Sequence, residues 1–141
     1  MWGDACTKTL NRLQVLQSRA VRLVTRSPFR SSSVPIFTHL NLLQVSDIRH
    51  HQISLFMFRC KHSLLPNICL RHCILNSRRV YGTRHCPTFT MQPFRTNIRG
   101  QYIGSLGPRI WEALPLNLRE IEFFPIFKRE VLNYLVSCYV C

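Results

Sequence analysis

The chain has 141 residues, the length of one ordinary domain, and 46% of them are apolar; it can bury one core and has no room for a two-domain enzyme with a cleft between its halves. Nineteen Lys and Arg face six Asp and Glu, a net charge of +13, which argues against a carboxylate-rich catalytic centre and for a polyanionic partner. Sixteen of the cations are Arg, whose planar fork grips phosphate with paired hydrogen bonds and stacks on bases.

The charge is unevenly placed. Residues 1–111 carry 16 Lys or Arg against two acids, net +14, whereas 112–141 carry three against four, net −1. Anion binding is therefore expected of the longer first part, and packing of the last.

In chain order, Leu10, Leu13, Leu16, Ala20, Leu23 and Val24 recur at helical spacing and predict a helix over about residues 9–25, with this row turned to the core. At about 100° per residue, Lys8, Arg12, Arg19, Arg22 and Arg26 fall in a stripe about 80° wide on the side away from the leucines. No Asp or Glu lies in this segment to relieve the repulsion. The stripe is read as an anion-binding face, with an ordinary solvated face as the alternative.

Ser27-Pro28 and Ser31-Ser32-Ser33 mark a loop, and Ser33-Val34-Pro35 starts a short helix reaching Leu40. Ser46-Asp47 opens a second long helix that runs to about His62 and stops before Pro66. Ile48, Ile53, Leu55, Phe56, Met57 and Phe58 exceed what one buried face needs, so this helix is expected at the centre of the core.

Residues 66–107 read as irregular, broken by Pro66, Pro87 and Pro93 and loosened by Gly82, Gly100 and Gly104, with a short strand over residues 88–94. Here Arg71, Arg78, Arg79, Arg84, Arg95 and Arg99 alternate with Tyr81, Phe89, Phe94 and Tyr102. Guanidinium groups on phosphates and rings on bases suit single-stranded nucleic acid; the alternative is rings in the core and solvated arginines. Gly107-Pro108-Arg109-Ile110-Trp111 and Leu114-Pro115 read as a turn, a short helical segment and a break. A last amphipathic helix is expected from about Pro125 through Phe127, Val131, Leu132 and Leu135. Together these elements describe a mainly α chain, a small helical bundle with an irregular, short-stranded middle.

Catalytic signatures are sparse. The sequence holds no phosphate loop, no dinucleotide fingerprint and no nucleophile elbow, and Asp4 and Asp47 are too far apart in the chain to suggest a two-metal centre. Neither catalysis nor a cofactor is expected. Cys60, His62, Cys69, His72, Cys73, His85 and Cys86 contain enough thiolate and imidazole for zinc, but the spacing is irregular and the cysteines alternate with Ile68, Leu70, Ile74 and Leu75 as small hydrophobes do. No metal site is expected. Without a signal-peptide pattern or an apolar run near the ~20 residues of a membrane span, an intracellular setting, nucleus or cytoplasm, is expected, with no membrane partner.

Several pieces, read in order, resemble one family. Trp2-Gly3 followed by Leu13-Gln14-x-Leu16-Gln17-Ser18-Arg19-Ala20-x-Arg22 is similar to the segment after the polymerase domain in the endonuclease and reverse-transcriptase protein of jockey-like non-LTR (LINE-type) retrotransposons. Leu40 to Leu43, Phe56-Met57-Phe58, Pro66 and Tyr81-x-Thr83-Arg84 continue the likeness. Gly107-Pro108-Arg109-Ile110-Trp111-Glu112-Ala113-Leu114-Pro115-x-x-Leu118-Arg119 is its most specific part, and Phe127-Lys128 with Leu132-x-Tyr134-Leu135 closes it. Glu112 stands where the family usually has Asn, and the cysteines of residues 69–86 are not a family feature.

The resemblance implies a fragment of a larger protein, a single basic module over residues 1–141. In that family the catalytic palm, with its Tyr-Ala-Asp-Asp, and the endonuclease lie upstream, and neither is in this chain. The implied role is non-catalytic: to hold template RNA or target DNA beside the missing polymerase domain, which would be its protein partner. Lys8, Arg12, Arg19, Arg22, Arg26, Arg78, Arg79, Tyr81, Arg84, Arg95 and Arg99 are the expected contacts. The alternative is an orphaned or domesticated transposon fragment with a structural role only.

Overall fold

Eight helices make up the described part of the computed structural model, which covers residues 7–70, 73–76 and 87–139. In order they are α1 (Thr7–Val24), α2 (Val34–His39), α3 (Val45–Lys61), α4 (Asn67–Leu70), α5 (Asn97–Gly100), α6 (Ile103–Ala113), α7 (Leu116–Arg119) and α8 (Phe124–Ser137). The chain is mainly helical and packs as a small bundle. α3 is its axis: α6, α8 and α1 all lie against it, while α2 rests on α1, α5 on α6 and α7 on α8.

α3 is central because its apolar residues do not keep to one side. Ile53, Leu55, Met57, Phe58 and Cys60 are all buried, and so are Arg49, His51 and Ser54. Around Met57 and Phe58 gather Trp111 of α6, Phe127 and Val131 of α8, and Phe89, each with no exposed surface. The Phe58 and Phe127 rings stack with centroids 4.5 Å apart, and Phe89 meets the Trp111 ring edge-on at 5.8 Å. Aromatic pairs in these arrangements add to what burial alone contributes.

α6 corrects the expectation of a turn and a short helical segment. It is an 11-residue helix with Pro108 inside it. A proline there forfeits one helical hydrogen bond, which is why it reads as a break. Gly104, Gly107, Pro108 and Trp111 nevertheless form a buried stripe at helical spacing, and packing against α3 offsets the missing bond. Gly107 allows the close approach: a Cβ there would lie 2.5 Å from Met57 Sδ. Beyond α6, the Glu112 carboxylate accepts hydrogen bonds from the Arg119 guanidinium of α7 and from the Thr88 N–H at 2.8 Å, joining the helix end to two neighbouring segments. This gives Glu112 a structural task.

The strand expected over residues 88–94 reduces to an isolated antiparallel bridge between Leu75 and Phe89, with Asn76 N–H donating to Thr88 O and Thr90 N–H to Ile74 O. Pro87 and Pro93 bracket it and lack the N–H donors a longer ladder needs.

The orientation of α1 differs from expectation. Leu10 and Val21 are buried, but Leu13, Leu16, Leu23 and Val24 are exposed, Leu23 by 79%. Two glutamines account for the rotation. The first turn of α3 has no side-chain cap of its own; the Val45 N–H donates instead to Gln14 Oε1 at 2.9 Å and Gln17 Oε1 at 3.0 Å, and Gln17 Nε2 donates to Leu43 O at 2.8 Å. Satisfying these backbone groups turns the glutamine side of α1 inward and the leucine row outward.

α1, α2 and α3 end alike. Arg26, Asn41 and Ser63 have φ of 51°, 55° and 54°, and the following N–H groups of Ser27, Leu42 and Leu64 reach back five residues to Arg22, Phe37 and Arg59. This is the Schellman closure, in which a left-handed residue turns the chain out of the helix.

Candidate nucleic-acid interface

Lys8, Arg12 and Arg19 stand exposed on one side of α1, a helix whose sequence contains no Asp or Glu. Arg22 is half-buried, and its Nε donates to Ser31 O at 2.9 Å, tying α1 to the serine loop. Arg26 is exposed but lies beyond the helix, where it makes the left-handed closure. The stripe read from the sequence is thus three exposed cations on the helix, one that braces the following loop and one on the exit turn. Arg30, not singled out from the sequence, is also exposed in that loop.

Arg95 and Arg99 are exposed, the second in the last turn of α5. Both follow Phe94, which is 39% exposed and rests over Gly100, where a Cβ would come within 2.7 Å of the ring. Arg109, on the outer side of α6, places its guanidinium carbon 5.9 Å from the centre of the same ring. An exposed ring beside the Arg109 guanidinium, on a stretch that also carries Arg95 and Arg99, offers a base a stacking face and its phosphates paired donors. Sequence reasoning missed Arg109 because the contact joins residues fifteen positions apart on different elements. α1 packs on α2 and α3 and α5 packs on α6, so the two sets of cations belong to different parts of the bundle.

Other expectations sort differently. Phe89 is fully buried against Trp111 and serves the core, not a base. Arg49, not singled out from the sequence, is buried, with Nη2 donating to Gln101 Oε1 at 2.7 Å, and is withdrawn from any phosphate. Arg71, Arg78, Arg79, Tyr81 and Arg84 lie outside the described residues.

Three of the side chains weighed for zinc, Cys60, His62 and Cys73, pack in or against the core. Cys60 and Cys73 are buried, with Cys73 Sγ 3.6 Å from Met57 Sδ, and the His62 ring lies 4.3 Å from that of Phe58. A hydrogen bond with Cys73, together with burial, pushes the Cys60 thiol far above its ordinary range, which makes it a poor nucleophile. Among the described residues no three His, Cys, Asp or Glu side chains come together as a metal site; His72, His85 and Cys86 lie outside them. No described helix is long and apolar enough to cross a membrane. Compared with protein-family models, with curated proteins and with solved structures, the chain matches none of them.

Proposed function

We propose that this chain is a non-catalytic C-terminal segment of a non-LTR retrotransposon reverse transcriptase, and that it binds template RNA or target DNA through an arginine-rich surface. The observation that carries the reading is the exposure of Lys8, Arg12 and Arg19 on a helix with no acid to pair with them. Like charges held together without relief oppose folding, and a phosphate backbone supplies the missing counter-charge. Phe94 with Arg109 beside its ring, and the exposed Arg95 and Arg99 that follow it in the chain, add a second contact of the kind that single strands use. The ordered motifs that resemble the family support the origin, and no catalytic step is assigned to this chain.

Fluorescence anisotropy with a single-stranded RNA of about 20 nucleotides tests the binding; a few contacts of this kind fall within such a length. Lys8→Gln/Arg12→Gln/Arg19→Gln removes the charge while keeping good helix formers on a face away from α3, so the circular dichroism spectrum stays unchanged and affinity falls by about tenfold or more. Unchanged affinity in a folded triple variant refutes the reading for α1. The uncovered row of Leu13, Leu16 and Leu23 favours a second reading, a structural remnant of a larger protein with no binding role. A remnant of that kind aggregates through its exposed row and leaves RNA unbound, whereas the first reading expects soluble RNA complexes.

A further inference from the structure

The row on α1 that the core leaves uncovered is an ordered feature. Leu13, Leu16, Ala20 and Leu23 follow one another by three, four and three residues, the a and d spacing of a helix that pairs with another helix. All four are exposed, Leu16 by 59%. On the core side Gln17 is fixed by its bonds to Leu43 O and the Val45 N–H. Behind it Val45 and Ile48 of α3 supply a second apolar wall, leaving an open groove of about 490 Å³ along α1. On the solvent side the g positions of the same heptads are Arg12 and Arg19.

We infer that this groove is a docking site for an amphipathic helix of a partner protein, one whose apolar row is bordered by Asp or Glu. The apolar wall calls for an apolar row, and the three-four-three spacing sets that row on a helix lying along α1. The arginines fix the sign of the border: α1 carries Lys8, Arg12, Arg19 and Arg22 and no acid, so a partner without carboxylates would press against uncompensated cations while displacing their water. A second copy of the chain fits poorly for the same reason. Two α1 helices side by side bring the uncompensated Arg12 and Arg19 of each into one interface, and an antiparallel pair sets these rows against each other. The aliphatic row itself offers nothing to a base or a phosphate, so the inference stands on a different feature from the RNA reading. Because both partners draw on Arg12 and Arg19, a docked acidic helix excludes RNA from this face.

The test uses the full chain and a fluorescein-labelled peptide of about 21 residues, three heptads, with Leu at a and d and Glu at e and g; a second peptide carries Lys for Glu. The Glu peptide binds saturably and the Lys peptide binds about tenfold more weakly or not at all. Leu16→Gln/Leu23→Gln, two exposed positions, keeps the circular dichroism spectrum and reduces Glu-peptide affinity by about tenfold or more. Arg12→Glu/Arg19→Glu reverses the preference to the Lys peptide. Equal binding of both peptides overturns the inference, as does unchanged affinity in the Leu16→Gln/Leu23→Gln variant. It is also overturned if that variant instead dissolves a dimer seen by sedimentation equilibrium, releases phosphatidylserine vesicles that the wild-type chain binds more tightly than the peptide, or loses RNA binding along with the peptide.

Discussion

Ser63 holds a left-handed backbone angle, φ 54°, at the exit of α3, a conformation that costs a residue with a Cβ roughly 1–2 kcal/mol relative to glycine. Ser63→Gly removes that strain at the expense of some unfolded-state entropy, and the expected net gain is about 0.5–1 kcal/mol in urea unfolding. Gly107 is the opposite case, since its place is set by Met57 Sδ, 2.5 Å from where a Cβ would stand. Gly107→Ala gains helix propensity yet overpacks the joint between α3 and α6, for an expected net loss of about 1–3 kcal/mol. Adding Met57→Ala opens a cavity of its own but removes the clash, so a double-mutant cycle shows a coupling of about 1 kcal/mol or more between the two sites. His51 supplies a pH dependence. Burial pushes its imidazole below the ordinary 6.5, opposed in part by the contact with Lys128 O and reinforced by the Lys128 charge. The folded chain then binds fewer protons than the unfolded chain, so stability is whole above 6.5 and is lost as the pH falls from there toward the lowered value. His51→Gln flattens that part of the stability curve.

At the scale of elements, α1 is held by its glutamines. Gln14→Ala and Gln17→Ala each leave α3 with fewer partners for the Val45 N–H, and a lost bond of this kind costs about 1 kcal/mol. Hydrogen exchange should show α1 amides opening faster in either variant, while the α6 and α8 amides keep their protection. Periodicity and caps placed α1, α2, α3 and α8 within about two residues of their observed ends, because Ser, Pro and apolar spacing act locally. It did not place the rotation of α1. Leu13 and Leu16 read as core until Gln14 and Gln17 find an uncapped helix start across the bundle, a contact no local pattern carries. It did not place α6 either, since Pro108 signals a break and the compensating stripe of Gly104, Gly107 and Trp111 depends on α3 lying alongside. The surface cations were legible as a class, whereas the setting of Phe94 by Arg109 was not, because α5 and α6 must fold together first.

Across the molecule the charge divides as the sequence divides, but the packing does not. Among the described residues, Leu114, Phe127 and Val131 bring residues 112–141 into a core that is otherwise built by residues such as Ile53, Met57, Phe58, Phe89 and Trp111, and those share the net +14 part with the exposed arginines Arg12, Arg19, Arg95 and Arg99. Arg12 and Arg19 stand on α1 and Arg99 on α5, so the helices set the spacing of these backbone positions before a phosphate chain binds. The most direct test of the account is the salt dependence of RNA binding by the unmodified chain. If about five exposed cations meet phosphates of a single strand, log Kd plotted against log salt has a slope near 3.5, about 0.7 for each phosphate neutralised. A slope near zero, or an affinity that salt does not change, would contradict the claim that this surface binds nucleic acid.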